Sequence, residues 1–123
     1  MRQRERNMVN QGDIILLDHD TKLGHEQRER VPVLVVSNES FNKYSSLAIV
    51  CPITSAKKDN PFQIKLDKRT KTTGVVLADQ AKILDIITHN FEFIERIPHE
   101  ILFEVTDIIG GFINFEKKST TSS

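Results

Sequence analysis

The chain has 123 residues and a mass of 14.1 kDa, the size of a single domain of about 100 to 150 residues. Apolar residues make up 38% and charged residues 28%, which excludes a wholly disordered or collagen-like chain. Seventeen basic and 17 acidic residues give a formal net charge of zero, so the protein does not coat nucleic acid through bulk charge.

Three apolar runs rich in β-branched residues predict strands in the first half of the chain, at residues 13–17, 31–36 and 47–53. The polar stretch 21–30 predicts a mobile loop, and residues 38–46 predict a turn. The unbroken hydrophobicity of the third run predicts burial on both faces. Pro52 should end its pairing and leave Thr54 at the strand terminus.

Three shorter strands and one helix are predicted in the second half. The strands fall at residues 62–66, 73–78 and 81–87. From Pro98 to Ile113, apolar residues recur with helical spacing and form one stripe. Gly110 and Gly111 weaken a helix by about 1 kcal/mol each, so they predict either a close backbone approach or an early helix end.

Several short strands followed by one helix indicate an α+β fold with a small curved antiparallel sheet and a C-terminal α-helix. We expect a single domain over residues 12–115, a flexible N-terminal segment 1–11 and a disordered tail 116–123. No apolar stretch approaches the ~20 residues of a membrane span, and no signal peptide is evident, so a cytoplasmic protein is expected. Cys51, the sole cysteine, lies in an apolar run and is interpreted as a small core side chain.

The residue pattern carries few signals of catalysis by itself. No cysteine pairs or spaced histidines suggest a metal site, and no cofactor is expected. The segment 24–30 concentrates groups that can bind phosphates. Polar residues also follow or interrupt strands at Thr54, Ser55, Asp79 and Gln80, although each alone is more commonly a turn former or a cap.

Charge is segregated along the chain. Residues 57–71 contain six cations and two acids, a net charge of +4, and residues 85–116 contain seven acids and one arginine, a net charge of −6. A basic middle can follow a phosphate backbone while the acidic end stays away from it. The alternative is that both runs are ordinary solvated surface.

Eight short motifs occur in order along the chain: Gly12-Asp13, Gly24-His25-Glu26-Gln27, Pro32-Val33-Leu34-Val35-Val36, Phe41-Asn42, Pro52-Ile53-Thr54-Ser55, Thr73-Gly74-Val75-Val76, Asp79-Gln80 and Arg96-Ile97-Pro98. In this combination they resemble the MazF/PemK family of toxin endoribonucleases, and within it the plasmid PemK/Kid branch. The resemblance covers residues 12 to about 113.

The resemblance implies a barrel-like sheet of the SH3-like type, a homodimer, and a cognate antitoxin whose flexible C-terminal tail would occupy the RNA groove. It also implies metal-independent cleavage of single-stranded mRNA at short sequences. In such a reaction the ribose 2′-hydroxyl attacks the adjacent phosphorus and leaves a 2′,3′-cyclic phosphate and a 5′-hydroxyl. Cleavage of mRNA in this way would inhibit translation and growth.

The family's motifs also imply site residues. The catalytic candidates are Thr54, Arg30, His25 and Asp79. The candidates for RNA binding are Glu26, Gln27, Arg28, Ser55, Lys57, Lys58, Gln80 and Lys82. Two of the family's usual arginine positions are occupied by Val31 and Leu77 in this chain. A one-residue shift turns a strand side chain to the opposite face, so Arg30 replaces the missing arginine only if the strand start is irregular.

Two alternatives to a nuclease remain open at this point. One is a degenerate toxin that binds RNA and antitoxin without cleavage, which the aliphatic Val31 and Leu77 favour. The other is a poison of a protein target such as gyrase, as the related CcdB proteins are.

Overall fold

The computed structural model describes residues 8–19, 29–56 and 60–116, and within these ranges the chain forms seven strands and two α-helices. They are β1 (Asp13–His19), β2 (Glu29–Val35), α1 (Glu39–Ser45), β3 (Leu47–Thr54), β4 (Gln63–Lys65), β5 (Val75–Leu77), β6 (Lys82–Asp85), β7 (Phe91–Arg96) and α2 (His99–Ile113). Two 3₁₀ turns, at Ala78–Gln80 and Ile86–Thr88, precede and follow β6.

The described strands form one antiparallel sheet in the order β4-β5-β3-β2-β1-β7, and β6 also pairs with β3. Along one edge, β3 exchanges partners: residues 47–50 pair with β6, whereas Ile53 and Thr54 pair with β5. Its other edge pairs with β2. The sheet is curved but does not close, and α2 follows it, which confirms the predicted fold class.

Apolar side chains fill both faces of this sheet. On one face, called here the helix face, Ile14, Leu34 and Cys51 pack with Ile101 and Val105 of α2. On the opposite face lies a second cluster, formed by the residues that alternate with these along the same strands. It includes Ile15, Val33, Val35 and Val50, with Ile86 from the second 3₁₀ turn. Burial on both faces explains why these strands read as continuous apolar runs.

Several predicted boundaries were wrong. The segment predicted as a turn, residues 38–46, contains the helix α1 (Glu39–Ser45), and the Asn38 side chain caps it by accepting the Phe41 N–H. Strand β7 was not predicted, because Glu92, Glu95 and the exposed Phe93 interrupt the regular alternation of buried and exposed residues that indicates a strand. Pro52 does not end the pairing of β3, since it lies opposite Val33 within the ladder.

The predicted loop 21–30 also ends earlier than expected, because β2 already begins at Glu29. Gly110 and Gly111 do not end α2, which continues to Ile113. No other backbone packs closely against them either, since a Cβ at either position would meet no atom within 4 Å. Before β1, Val9 is buried against the second cluster and the Gln11 side chain donates to the Val36 carbonyl. The expectations for residues 1–7, 20–28, 57–59 and 117–123 lie outside the described ranges.

Candidate active site

Thr54 is the last residue of β3 and is half-buried. Its side-chain oxygen accepts a hydrogen bond from the backbone N–H of Ala56 at 3.2 Å. A hydroxyl has one proton to donate and two lone pairs to accept with. The turn after β3 therefore orients the Thr54 oxygen and leaves its proton for another acceptor.

The backbone around Thr54 is held from two sides. Thr54 pairs with Val75, and the preceding Gly74 has φ +120°, where a side chain would be strained. A Cβ at Gly74 would also collide with the Thr54 carbonyl oxygen. Gly74 belongs to one of the sequence motifs, but the sequence gives no indication of this contact, which arises only when β3 and β5 pair.

The turn before Gly74 is held by Glu95 of β7. Its carboxylate accepts the backbone N–H groups of Lys71 at 3.1 Å and Thr72 at 2.8 Å, and the Thr72 hydroxyl at 2.7 Å. Burial disfavours the charged carboxylate, but the hydrogen bonds outweigh it and the pKa of Glu95 is lowered. Glu95 was not predicted as a supporting residue, because the link joins segments 23 residues apart.

The register of the sheet decides which residue of β2 faces Thr54. Val33 lies opposite Pro52 and Val35 opposite Val50. Extending this register by two residues places Val31 across from Thr54. We call the side of the sheet that carries Thr54 and Val31 the Thr54 face; Val31 is half-buried there and packs against the second cluster.

Arg30 lies on the other side of β2. It pairs with Asp18 of β1, and because side chains alternate along a strand it projects to the face opposite Val31 and Thr54. Its Nε is 3.2 Å from Asp18, and its Nη1 is 2.8 Å from Glu92. The structure therefore keeps the Arg30 guanidinium between two carboxylates and does not bring it to Thr54.

The 3₁₀ turn that carries Asp79 and Gln80 lies where β3 exchanges partners, near Cys51 and between the residues that pair with β5 and those that pair with β6. Both side chains are exposed. Burial, and next the charge of the nearby Asp79, raises the pKa of the Cys51 thiol to about 12. Cys51 is fully buried, which confirms its predicted place in the core and leaves it unsuited to act as a nucleophile.

The remaining predicted residues divide into two groups. Ser55 follows Thr54 and is exposed, and Lys82 is exposed at the start of β6, opposite Val50 on the Thr54 face. These residues are thus spread along one edge of β3, from Ser55 after Thr54, past the Asp79–Gln80 turn near Cys51, to Lys82 opposite Val50. The others lie outside the described residues: His25, Glu26, Gln27, Arg28, Lys57 and Lys58.

The basic and acidic runs are not kept apart in the fold. Arg69 in the turn after β4 lies 2.9 Å from Asp67 and 3.2 Å from Glu100 of α2. The charge of the basic middle is therefore partly neutralised on the helix face. Within residues 8–19, 29–56 and 60–116, no group of three or more His, Cys, Asp or Glu residues could hold a metal ion. No described helix is long and apolar enough to cross a membrane.

Comparison with known proteins assigns the chain to a class. A family model described as PemK-like, MazF-like toxin of type II toxin-antitoxin system matches residues 10–112. The fold and this match define a toxin of a type II toxin–antitoxin system. More specifically, the chain belongs to the PemK-like, MazF-like family, as its motifs predicted.

Individual relatives agree with this assignment. Endoribonuclease PemK of Escherichia coli is 35% identical over 106 residues, which cover 83% of this chain and 80% of that protein. Endoribonuclease MazF of Staphylococcus epidermidis is 32% identical over 116 residues, 89% of this chain and 97% of that protein. A MazE–MazF crystal structure from Deinococcus radiodurans superimposes with a TM-score of 0.78 and 33% identity, covering 86% of this chain and 96% of the matched chain.

Proposed function

We propose that this endoribonuclease toxin cuts single-stranded RNA without a metal ion, through attack of a ribose 2′-hydroxyl on the neighbouring phosphorus. The O2′–P bond forms and the P–O5′ bond breaks. The 2′-proton passes to a base, and the leaving O5′ takes a proton from an acid, giving a 2′,3′-cyclic phosphate and a 5′-hydroxyl. The observation that carries the proposal is the Thr54 hydroxyl, fixed at a strand end and donating no hydrogen bond to another described residue.

Each site residue has a role in this scheme. Thr54 donates a hydrogen bond to a phosphate oxygen as negative charge develops on the phosphorane. His25 and Asp79 are the proton-transfer groups. Arg28 supplies a cation from the segment before β2, because Arg30 is engaged by Asp18 and Glu92.

The RNA-binding residues surround this centre. We assign base and phosphate contacts to Glu26, Gln27, Arg28, Ser55, Lys57, Lys58, Gln80 and Lys82. Ser55 is exposed beside Thr54, and Gln80 and Lys82 are exposed further along the same edge of β3, which supports the assignment for these three. RNA rather than DNA is the substrate, because the nucleophile is the 2′-hydroxyl.

The protein acts as a homodimer in the cytoplasm, where it inhibits translation and growth until an antitoxin binds. The antitoxin's flexible C-terminal tail would occupy the RNA groove. Support comes from the relatives, since the superimposed Deinococcus radiodurans chain comes from a MazE–MazF complex. Sedimentation of the purified chain tests the dimer, and co-expression with the antitoxin should restore growth; persistent toxicity would contradict the partnership.

The decisive experiment incubates the purified chain with a long single-stranded RNA in EDTA. Wild-type protein should cut it and leave 2′,3′-cyclic phosphate ends, identified by mass spectrometry. Thr54→Ala should slow cleavage by a factor of about 10² to 10³, the effect of losing one transition-state donor. Thr106→Ala is the matched control, because its hydroxyl donates within α2 to the Phe103 carbonyl.

Two results would count against the proposal. Intact RNA after incubation with the wild type would reject the nuclease, and equal rates for Thr54→Ala and Thr106→Ala would reject the role of Thr54. Products with 3′-phosphate ends and no cyclic intermediate would reject the reaction path.

A second candidate function is RNA binding without cleavage. Val31 and Leu77, both half-buried, put aliphatic groups where relatives carry arginines. Salt-sensitive binding of labelled single-stranded RNA without products would support this module. Absence of any RNA binding would instead favour a protein target such as gyrase.

A further inference from the structure

The described arginines are all engaged with carboxylates. Arg30 bridges Asp18 and Glu92, and Arg69 bridges Asp67 and Glu100. Arg96 lies 3.7 Å from the buried Asp13 and donates to the Gln11 carbonyl. None of the three projects beside Thr54, so within the described ranges the cation for a phosphate at this site must come from a lysine.

Two described lysines lie on the Thr54 face, and strand pairing shows which of them shares a row with Thr54. Lys82 lies opposite Val50, four positions before Thr54 on β3. Thr54 lies opposite Val75 of β5, and Val75 lies opposite Lys65 of β4. Directly opposed residues in antiparallel strands project to the same side of the sheet. Thr54, Val75 and Lys65 therefore form one row on the Thr54 face, and two strand spacings separate the Cα atoms of Thr54 and Lys65 by about 10 Å.

The surroundings of Lys65 leave its charge available. Its side chain is exposed, and no carboxylate among residues 8–19, 29–56 and 60–116 forms an ion pair with it. Two residues before Lys65 lies Gln63, opposite Leu77, and neither is acidic. Two residues after it lies Asp67, whose carboxylate is paired with Arg69 at 2.9 Å. Other lysines of the basic run lie close to acids instead: Lys68 near Asp67 and Lys71 near Glu95.

We propose that Lys65 supplies positive charge to the scissile phosphate of RNA bound at Thr54, in addition to the cation of Arg28. The family resemblance implies arginines at positions 31 and 77, where this chain has Val31 and Leu77. This inference rests on the proposed function. The long flexible stem of lysine spans the buried Val75, and its ammonium binds a phosphate as a point charge. Lys65 was counted only as part of the basic run in the sequence, because its row becomes evident only from the register of β4, β5 and β3.

The test compares Lys65→Ala and Lys65→Arg with Lys43→Ala, an exposed lysine on α1 that also lacks an ion-pair partner among the described residues. Cleavage of a long single-stranded RNA is measured at single turnover. We expect Lys65→Ala to slow cleavage by a factor of about 10², Lys65→Arg to stay within about tenfold of wild type, and Lys43→Ala to match wild type. Thermal melting of each variant checks that the fold is kept.

The second arm measures binding of a 2′-O-methylated single-stranded RNA, which has no free nucleophile, as a function of salt. Loss of one phosphate contact should reduce the slope of log K against log salt by about 0.7 in Lys65→Ala. Lys65→Ala that cuts and binds like Lys43→Ala would overturn the inference while leaving the nuclease intact. If the wild type binds RNA but does not cut it, the difference in salt slope between wild type and Lys65→Ala still tests the inference. If the wild type neither binds nor cuts, both the inference and the proposed function are overturned.

Discussion

The two faces of the sheet differ in whether their cations form ion pairs. On the helix face, Arg30, with Asp18 and Glu92, and Arg69, with Asp67 and Glu100, form paired networks. On the Thr54 face, the described cations Lys65 and Lys82 have no ion-pair partner among the described residues. Adjacent residues of one strand, Arg30 and Val31, belong to these two environments. An arginine therefore cannot move by one position along a strand and keep its role.

The largest expected effect comes from disturbing the support of Thr54. Gly74→Ala adds a Cβ that collides with the Thr54 carbonyl oxygen, at a φ that disfavours any side chain. We expect a loss of about 2 to 4 kcal/mol in the free energy of unfolding and a loss of cleavage. Urea denaturation and the RNA cleavage assay measure both. Unchanged stability would show that β5 does not hold the end of β3.

Returning an arginine to the Thr54 face tests the comparison directly. Val31→Arg should raise cleavage by a factor of about 10 or more, because the guanidinium would then project beside Thr54. It should also cost about 1 to 2 kcal/mol of stability, since Val31 packs against the second cluster.

A variant to compare with Val31→Arg is Arg30→Ala, which removes an arginine on the helix face. Arg30→Ala should change cleavage by less than about threefold, because the guanidinium lies on the face opposite Thr54 and an ion pair with a half-buried Asp18 and an exposed Glu92 contributes little. Single-turnover rates decide the point. A hundredfold loss in Arg30→Ala with no gain in Val31→Arg would reverse the assignment of the faces.

A smaller effect is expected at Glu95, which holds the turn before Gly74 by accepting the backbone N–H groups of Lys71 and Thr72. Glu95→Gln should lower the free energy of unfolding by about 1 to 3 kcal/mol at neutral pH, because charge-assisted hydrogen bonds are lost. The pKa of Glu95 is lowered in the folded state, so this contribution is present above its ordinary value of 4.5 and is lost as the pH falls below it. Urea melts at pH 7 and pH 3 should show the difference between wild type and variant shrinking at low pH; a constant difference would argue against the carboxylate.

The smallest effect is predicted at the C-terminal end of α2, away from Glu100 and its ion pair with Arg69. Gly110→Ala and Gly111→Ala meet no neighbouring atom within 4 Å and have ordinary helical positions, so each should stabilise the protein by about 1 kcal/mol. Cleavage should remain unchanged. Thermal melting checks this, and a destabilised variant would indicate a packing partner for this surface.

Much of the sheet could be predicted from sequence, because burial on both faces makes β1, β2 and β3 continuous apolar runs. β7 could not, since one of its faces carries exposed acids that serve the charge networks. The helix α1 was missed because the polar residues 38–46 were interpreted as a turn, whereas Asn38 is a helix cap. Local polarity does not distinguish these two uses of asparagine.

The site was predictable only where a motif carried it. Thr54 and Asp79 were identified by their motifs, and both lie along the same edge of β3. The roles of Lys65, Gly74 and Glu95 depend on which strand lies beside which, and that pairing has no local signature. The side to which Arg30 projects likewise follows from its register with Asp18.

The buried Cys51 has a practical consequence for measuring these effects. With a pKa of about 12 and no solvent exposure, its thiol stays protonated at neutral pH and out of reach of maleimide reagents. A cysteine introduced at an exposed position would then be the one thiol of the native protein that takes a fluorescent label. Ligand-induced changes can be followed by such a reporter without first deleting the native cysteine.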